Sequence, residues 1–182
     1  MDLTFVSTNA GKFREVRAIL ADYDVRVRWK KRPLPELQAE SLERVVTEKL
    51  DAAARLAPRV LVEDSGLFLP ALGGFPGVYS AYALDTIGLE GILRLLRSRK
   101  RTAVFRTVAG LAIGGRRWTR IGECRGTIAY RPRGLNGFGY DPIFIPEGER
   151  RTFGQLPPAG KNSQSHRARA IHRIGRLIRT LE

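Results

Sequence analysis

The stretch Leu3-Thr4-Phe5-Val6-Ser7-Thr8-Asn9-Ala10-Gly11-Lys12-Phe13 decides the fold class. Leu3 to Ser7 is a short apolar run of buried-strand type. Ser7 to Gly11 is rich in turn-forming residues, and Phe13, Val16, Ile19 and Leu20 then recur at helical spacing. Strand, turn and helix in immediate succession predict an α/β protein, with the turn at the carboxyl end of its first strand.

Working outward from that opening, Val25, Val27 and Trp29 alternate with basic residues, the pattern of a half-exposed strand. The prolines of Pro33-Leu34-Pro35-Glu36 forbid helix and place Glu36 on a loop. Ser41 fits the N-cap of a helix running to about Leu56, with Leu42, Val45, Val46, Leu50 and Ala53 inward. Val60 to Val62 reads as a second buried strand with Glu63 and Asp64 at its carboxyl end, and Gly66 to Tyr82 as a working loop. A helix from about Thr86 to Arg99 follows. Two extended runs, Ala103 to Ile113 and Trp118 to Tyr130, flank Gly114-Gly115 as a hairpin. A glycine-rich loop from Gly134 to Asp141, a short strand from Ile143 to Ile145 and a last helix from about Ser163 to Leu181 complete the chain, read as a single domain over 1–182.

Composition limits the function classes. Cys124 is the single cysteine, which excludes an internal disulfide and a multi-cysteine metal cage and makes redox chemistry improbable. No stretch approaches the length of an apolar membrane span and the amino terminus lacks a secretory pattern, so a cytoplasmic location is expected. The net charge is +14, and from Arg94 to Arg133 twelve Arg or Lys face one acid, Glu123. Such a field attracts polyanions, nucleotides and nucleic acid alike, so charge alone does not choose between a triphosphate enzyme and a nucleic-acid-binding module.

Four blocks carry candidate chemistry. Ser7-Thr8-Asn9-Ala10-Gly11-Lys12 places backbone N–H groups, a helix dipole and a lysine where an anion would sit, although a plain capped helix start uses the same residues. Its spacing is not that of a Walker A loop. Glu63-Asp64-Ser65-Gly66 offers a magnesium or general-base site. Strand neighbours point oppositely, so one of the two acids faces a metal, and Asp64 is the one chosen; a solvated turn is the other reading. Glu36, on its proline-framed loop, could bring a second oxygen ligand or be a plain surface acid. In Asn136-Gly137-Phe138-Gly139-Tyr140-Asp141 the glycines leave a ring face of Phe138 open for a base, or else set a core aromatic beside a tight turn. The last block, Gly160 to Arg167, puts Lys161 ahead of a helix and His166-Arg167 in its first turn, where cations oppose the dipole and call for an external ligand. His172 reads as surface or packing.

Taken in order, FVSTNAGKFREV, LPELQ, VLVEDSGLFLPALGGFPGVYSAYA, GFGYDPIF and GKNSQSHRARA resemble the inosine triphosphate pyrophosphatase family, the Ham1-like non-canonical purine NTP pyrophosphatases, over nearly the whole chain. The resemblance implies a long mixed sheet flanked by helices, two lobes around a nucleotide cleft, and a homodimer. It implies magnesium-assisted attack of water on the α-phosphorus of ITP, dITP or XTP, with Asp64 as proton acceptor and Glu36 and Asp64 positioning the metal. Nucleotide contacts would fall on Ser7, Thr8, Asn9, Ala10, Gly11, Lys12, Lys49 and Ser65 around the phosphates. Others would fall on Phe138, Gly139, Tyr140 and Asp141 at the base, and on Lys161, His166 and Arg167. A pyrophosphatase for modified pyrimidine triphosphates is the neighbouring alternative.

Overall fold

The computed structural model describes residues 1–35 and 37–181. Strand β1 (Asp2–Val6) leads into helix α1 (Ala10–Ala21) and strand β2 (Arg26–Lys30), then helix α2 (Leu42–Ala54) and strand β3 (Arg59–Phe68). β1 pairs parallel with β2, Leu3 opposite Val27, and parallel with β3, Phe5 opposite Leu61. Parallel neighbours cannot be joined by a tight turn, and α1 and α2 supply the crossovers. Asn9 caps α1, its side chain accepting from the Lys12 N–H, and Ser41 caps α2 by accepting from the Arg44 N–H.

Beyond β3 come the short β4 (Pro76–Gly77), helix α3 (Ser80–Leu95), the long hairpin β5 (Thr102–Ile113) and β6 (Arg116–Ile128), β7 (Phe144–Pro146), helix α4 (Pro158–Asn162) and helix α5 (His166–Arg179). Gly114 and Gly115, at φ 56° and 80°, form the two-residue hairpin turn, a geometry that suits glycine in both places. The sheet has seven strands in the order β2-β1-β3-β5-β6-β7, with β4 added antiparallel to β3 and β7 antiparallel to β6. It is mixed, as the sequence implies.

Contacts divide the chain into two compact units. The first comprises Met1–Asp64, Thr107–Gly122 and the segment from Arg167 to the carboxyl end; the second comprises Ser65–Arg106 and Glu123–His166. In the first, Val16, Ile19 and Leu20 of α1 and Ile171, Ile174 and Ile178 of α5 pack with Leu3, Phe5, Leu61 and Leu111 of the sheet. Each such burial contributes about 1.5–3 kcal/mol. The second has its own core, in which Phe105, Phe144 and Phe153 meet Leu67, Ile92 and Leu96.

Three elements differ from the sequence reading. β3 does not stop at Val62 but runs on through Glu63, Asp64 and Ser65 to Phe68, because β4 pairs with its far end, Leu67 opposite Gly77. The acids therefore lie within a strand, where the chain leaves the first unit for the second. α3 begins at Ser80 rather than near Thr86. The Ser80 hydroxyl donates to the Gly77 carbonyl and accepts from the Leu67 N–H, and Gly88 (φ 63°, ψ −174°) interrupts the helix that follows. The last helix is two: Pro158 opens α4, and α5 starts only at His166.

Candidate active site

The first unit gathers six charged side chains. Lys12, from the first turn of α1, places Nζ 2.6 Å from Glu63 Oε1 and 3.8 Å from Asp64 Oδ1. Lys49, on α2 and buried, places Nζ 2.8 Å from Asp64 Oδ2. Asp64 is thus gripped by two ammonium groups while its side chain keeps 20% of its surface exposed. Glu63 points inward and has no side-chain exposure. Its Oε2 accepts from Arg167 Nε at 3.3 Å, and Arg167 Nη1 donates to Glu15 Oε2 at 2.6 Å. Strand alternation thus gives the two acids different tasks: Glu63 anchors the interior pair and Asp64 meets the surface.

The turn before α1 is held by its own side chains. Ser7 Oγ accepts from the Asn9 N–H at 3.1 Å, Asn9 Oδ1 accepts from the Lys12 N–H at 3.0 Å, and the Trp29 indole donates to the Ser7 carbonyl at 2.8 Å. Phe13 stacks on Trp29 with ring centroids 5.1 Å apart, fixing the turn against β2. Thr8 stands exposed at its tip, with Ala10 and Gly11 half-buried behind it.

Arg167 changes one sequence-based inference. Cations in the first turn of α5 were expected to need an outside anion. The structure supplies an inside one, because Glu15 and Glu63 neutralise Arg167, which is 2% exposed. Glu15 was missed in the sequence. Its signal was an acid immediately before Val16 and four residues before Ile19, on the face of α1 that turns inward.

The second unit gathers the other block. Gly137 and Gly139, at φ 77° and 64°, flank Phe138. A Cβ on Gly137 would stand 2.0 Å from Asp141 Oδ2, so the turn requires glycine there. Asp141 is buried and its Oδ2 accepts from the Phe138 N–H at 2.7 Å and from Lys161 Nζ at 2.5 Å. Lys161, expected ahead of a helix, lies within α4 and is 3% exposed, its ammonium 4.6 Å from the centroid of the half-buried Phe138 ring. Tyr140 is turned inward and donates its hydroxyl to the Ser80 carbonyl at 2.7 Å. Burial pushes its phenol well above the ordinary range, so it remains a donor. His166 is buried against Phe105, the rings stacked at 4.3 Å.

The structure therefore brings Lys12, Lys49, Asp64 and Arg167 together in one unit and Phe138, Asp141 and Lys161 in the other. Ser65 and Gly139 lie half-buried beside Asp64 and Phe138 in the chain. Glu36 lies outside the described residues. Among the described residues no three His, Cys, Asp or Glu side chains converge as a metal cage, and no helix is long and apolar enough to cross a membrane.

Known proteins are similar to this chain over nearly its whole length. A dITP/XTP pyrophosphatase from Methanopyrus kandleri is 50% identical over 177 residues, covering 96% of this chain and 94% of its own length. The dITP/XTP pyrophosphatase of Pyrococcus horikoshii is 44% identical over 173 residues, covering 94% and 93%. Among solved structures, a HAM1 protein from Coxiella burnetii superposes with a TM-score of 0.83 at 29% identity, over 98% of this chain and 99% of that one. The family model described as the Ham1 family matches residues 3–176, and on these grounds the chain belongs to that family.

Proposed function

We propose that this protein hydrolyses non-canonical purine nucleoside triphosphates, of the dITP and XTP kind, to the nucleoside monophosphate and pyrophosphate. The reading is supported by relatives named dITP/XTP pyrophosphatase over nearly their full length. It is carried by one observation, a surface-facing Asp64 held by Lys12 and Lys49 next to an amide-rich helix start.

The charges decide what the substrate must bring. Lys12, Lys49 and Arg167 balance Glu15, Glu63 and Asp64, so the described cluster is close to neutral and does not by itself offset a tetra-anionic triphosphate. Asp64 is a hard oxygen donor with surface left to offer, which fits a magnesium ion held by one or two carboxylates and otherwise by phosphate and water. Glu36 is the proposed second carboxylate. Bound magnesium would neutralise the polyphosphate and polarise its oxygens. Lys12 and Lys49 transfer from Asp64 to phosphate oxygens, and the turn that Ser7 and Asn9 brace offers the N–H groups of Thr8, Ala10 and Gly11 to the same chain of phosphates. Asp64, relieved of its lysines, accepts a proton from water as its oxygen bonds to the α-phosphorus and the bridge to the β-phosphorus breaks. Pyrophosphate leaves.

Phe138 presents the ring face away from Lys161 to the purine, and the Asp141–Lys161 pair keeps that ring in place. A fixed donor such as a backbone N–H, rather than Arg167, whose buried guanidinium is taken up by Glu15 and Glu63, reads the 6-keto oxygen that hypoxanthine and xanthine carry and adenine replaces by a donor. Unpaired buried polar groups make such rejection strong. We further infer that residues 1–182 act as one domain, since β3, β5 and β6 each run through both units, and that the enzyme works as a cytoplasmic homodimer.

Purified protein with magnesium is expected to convert ITP and XTP to monophosphate and pyrophosphate about 100-fold or more faster, by kcat/KM, than ATP, which lacks the 6-keto acceptor, and also faster than GTP, which shares that keto group and must be rejected at its 2-amino position. Phosphate and diphosphate as products, or equal rates on all four, would refute the reading. Phe138→Ala should raise KM for ITP about tenfold, the loss of one base stack, while kcat changes little. An unchanged KM removes Phe138 from the base site.

A further inference from the structure

The Arg-rich stretch that charge alone could not interpret is folded into a defined surface. Arg94 in the last turn of α3, Arg97 and Arg99 just past its end, Arg101 just before β5 and Arg131 past the end of β6 wall a concavity of about 690 Å3 in the second unit, together with Tyr130. The two sequence-distant parts are joined by pairing, the Ile128 N–H donating to the Arg101 carbonyl at 2.8 Å. Glu90 is the one acid on the wall. Arg94, Arg97, Arg99 and Arg131 are exposed, and none makes an ion pair among the described residues. Four guanidinium groups around one hollow, with Arg99 also donating to the Ala71 carbonyl at 3.1 Å, make a positive local field that draws anions.

Tyr130 gives the hollow a second character. Its ring is 86% exposed, yet it is not loose: the Arg101 guanidinium lies over it at 4.5 Å from the centroid. Arg101 is itself fixed, donating through Nε to the Ile128 carbonyl at 2.7 Å and through Nη2 to the Ala129 carbonyl at 2.6 Å. One face of an aromatic ring is thus backed by a braced cation and the other is offered to solvent. Ser98 holds a left-handed backbone (φ 58°) between Arg97 and Arg99 at the rim.

We propose that this concavity is a binding site for single-stranded nucleic acid, sharing no residue with the cluster assigned to triphosphate hydrolysis. An aromatic platform amid arginines is the chemistry of strand binding without sequence preference: a base stacks on the ring and the adjoining phosphates meet the guanidinium groups. A duplex has no unstacked base to offer the ring, and a lone phosphate leaves it unused. Four unpaired arginines exceed what a mononucleotide neutralises and match a run of phosphodiesters.

Fluorescence anisotropy with a labelled single-stranded RNA of about 12 nucleotides, within the usual site size, tests this on the full chain. Affinity should fall about tenfold or more between ~50 and ~200 mM salt, and Arg97→Glu with Arg131→Glu should weaken it about tenfold at low salt. Tyr130→Ala should weaken it about fivefold, while Tyr130→Phe binds as the parent does. ITP turnover should be unchanged in all of these, and saturating ITP should leave RNA bound. The same charge change on exposed arginines of the first unit, Arg26→Glu with Arg176→Glu, should have little effect. The proposal fails if that control weakens binding equally, if Tyr130→Ala binds normally, or if saturating ITP displaces the RNA. It also fails if tripolyphosphate at equal phosphate displaces the RNA as well as unlabelled strand does. Loss of binding to phosphatidylserine vesicles in the Arg97/Arg131 variant, with RNA binding intact, would assign the surface to membranes and overturn it.

Discussion

Asp64→Asn should lower kcat for ITP by about 1,000-fold while leaving the fold intact, within the 10²–10⁴ range for loss of a positioned base. The substitution keeps shape and hydrogen-bonding oxygen but removes the charge that accepts a proton from water and attracts magnesium. Stability should change little. The Asp64 side chain keeps a fifth of its surface, its pair with Lys12 is long at 3.8 Å, and the amide oxygen put in its place still accepts from the buried Lys49, so the loss should stay below that of an interior pair. The neighbouring Glu63→Gln would instead strike the buried pair with Arg167 and should cost stability as well as rate. Steady-state kinetics alongside thermal unfolding separates the two acids. If Asp64→Asn retains a tenth or more of the parent kcat, the proton acceptor is another group.

The contrast between these adjacent acids marks how far the sequence could be read. Periodicity located β1, α1, β2, α2 and the β5–β6 hairpin because each has a period set by its own residues, with caps or turn glycines at the ends. It could not reveal that β3 continues past Glu63 and Asp64, because that extension depends on β4, whose partner register involves Gly77 and Pro76 far along the chain. Nor could it place Lys161, whose side chain turns under Phe138 to meet Asp141 twenty residues away. Local chemistry identified Lys12, Asp64 and Phe138 as residues worth watching. Which charge answers which is a long-range matter, and Glu15 went unnoticed because its partner Arg167 lies 152 residues further on.

That long-range partnership yields the largest expected effect on stability. Arg167→Met removes a guanidinium that is 2% exposed and takes from Glu15 and Glu63 the cation they share in the interior of the first unit, Glu63 keeping Lys12. Removing one member of a buried ionic group typically costs 3–5 kcal/mol, because the remaining charges lose their compensation without regaining water. For a chain of this size that corresponds to a fall in Tm of roughly 6–20 °C. Replacing the whole group by neutral residues, Glu15→Gln and Glu63→Gln with Arg167→Met, should recover a good part of the loss, since the penalty lies in buried negative charge that has lost its shared cation rather than in the missing attraction. Calorimetry of the parent, the single and the triple variant decides this. A Tm unchanged in Arg167→Met would mean that the guanidinium is not the keystone of the interior pair. A large loss with no recovery in the triple variant would point instead to packing by the long arginine stem, which methionine does not reproduce.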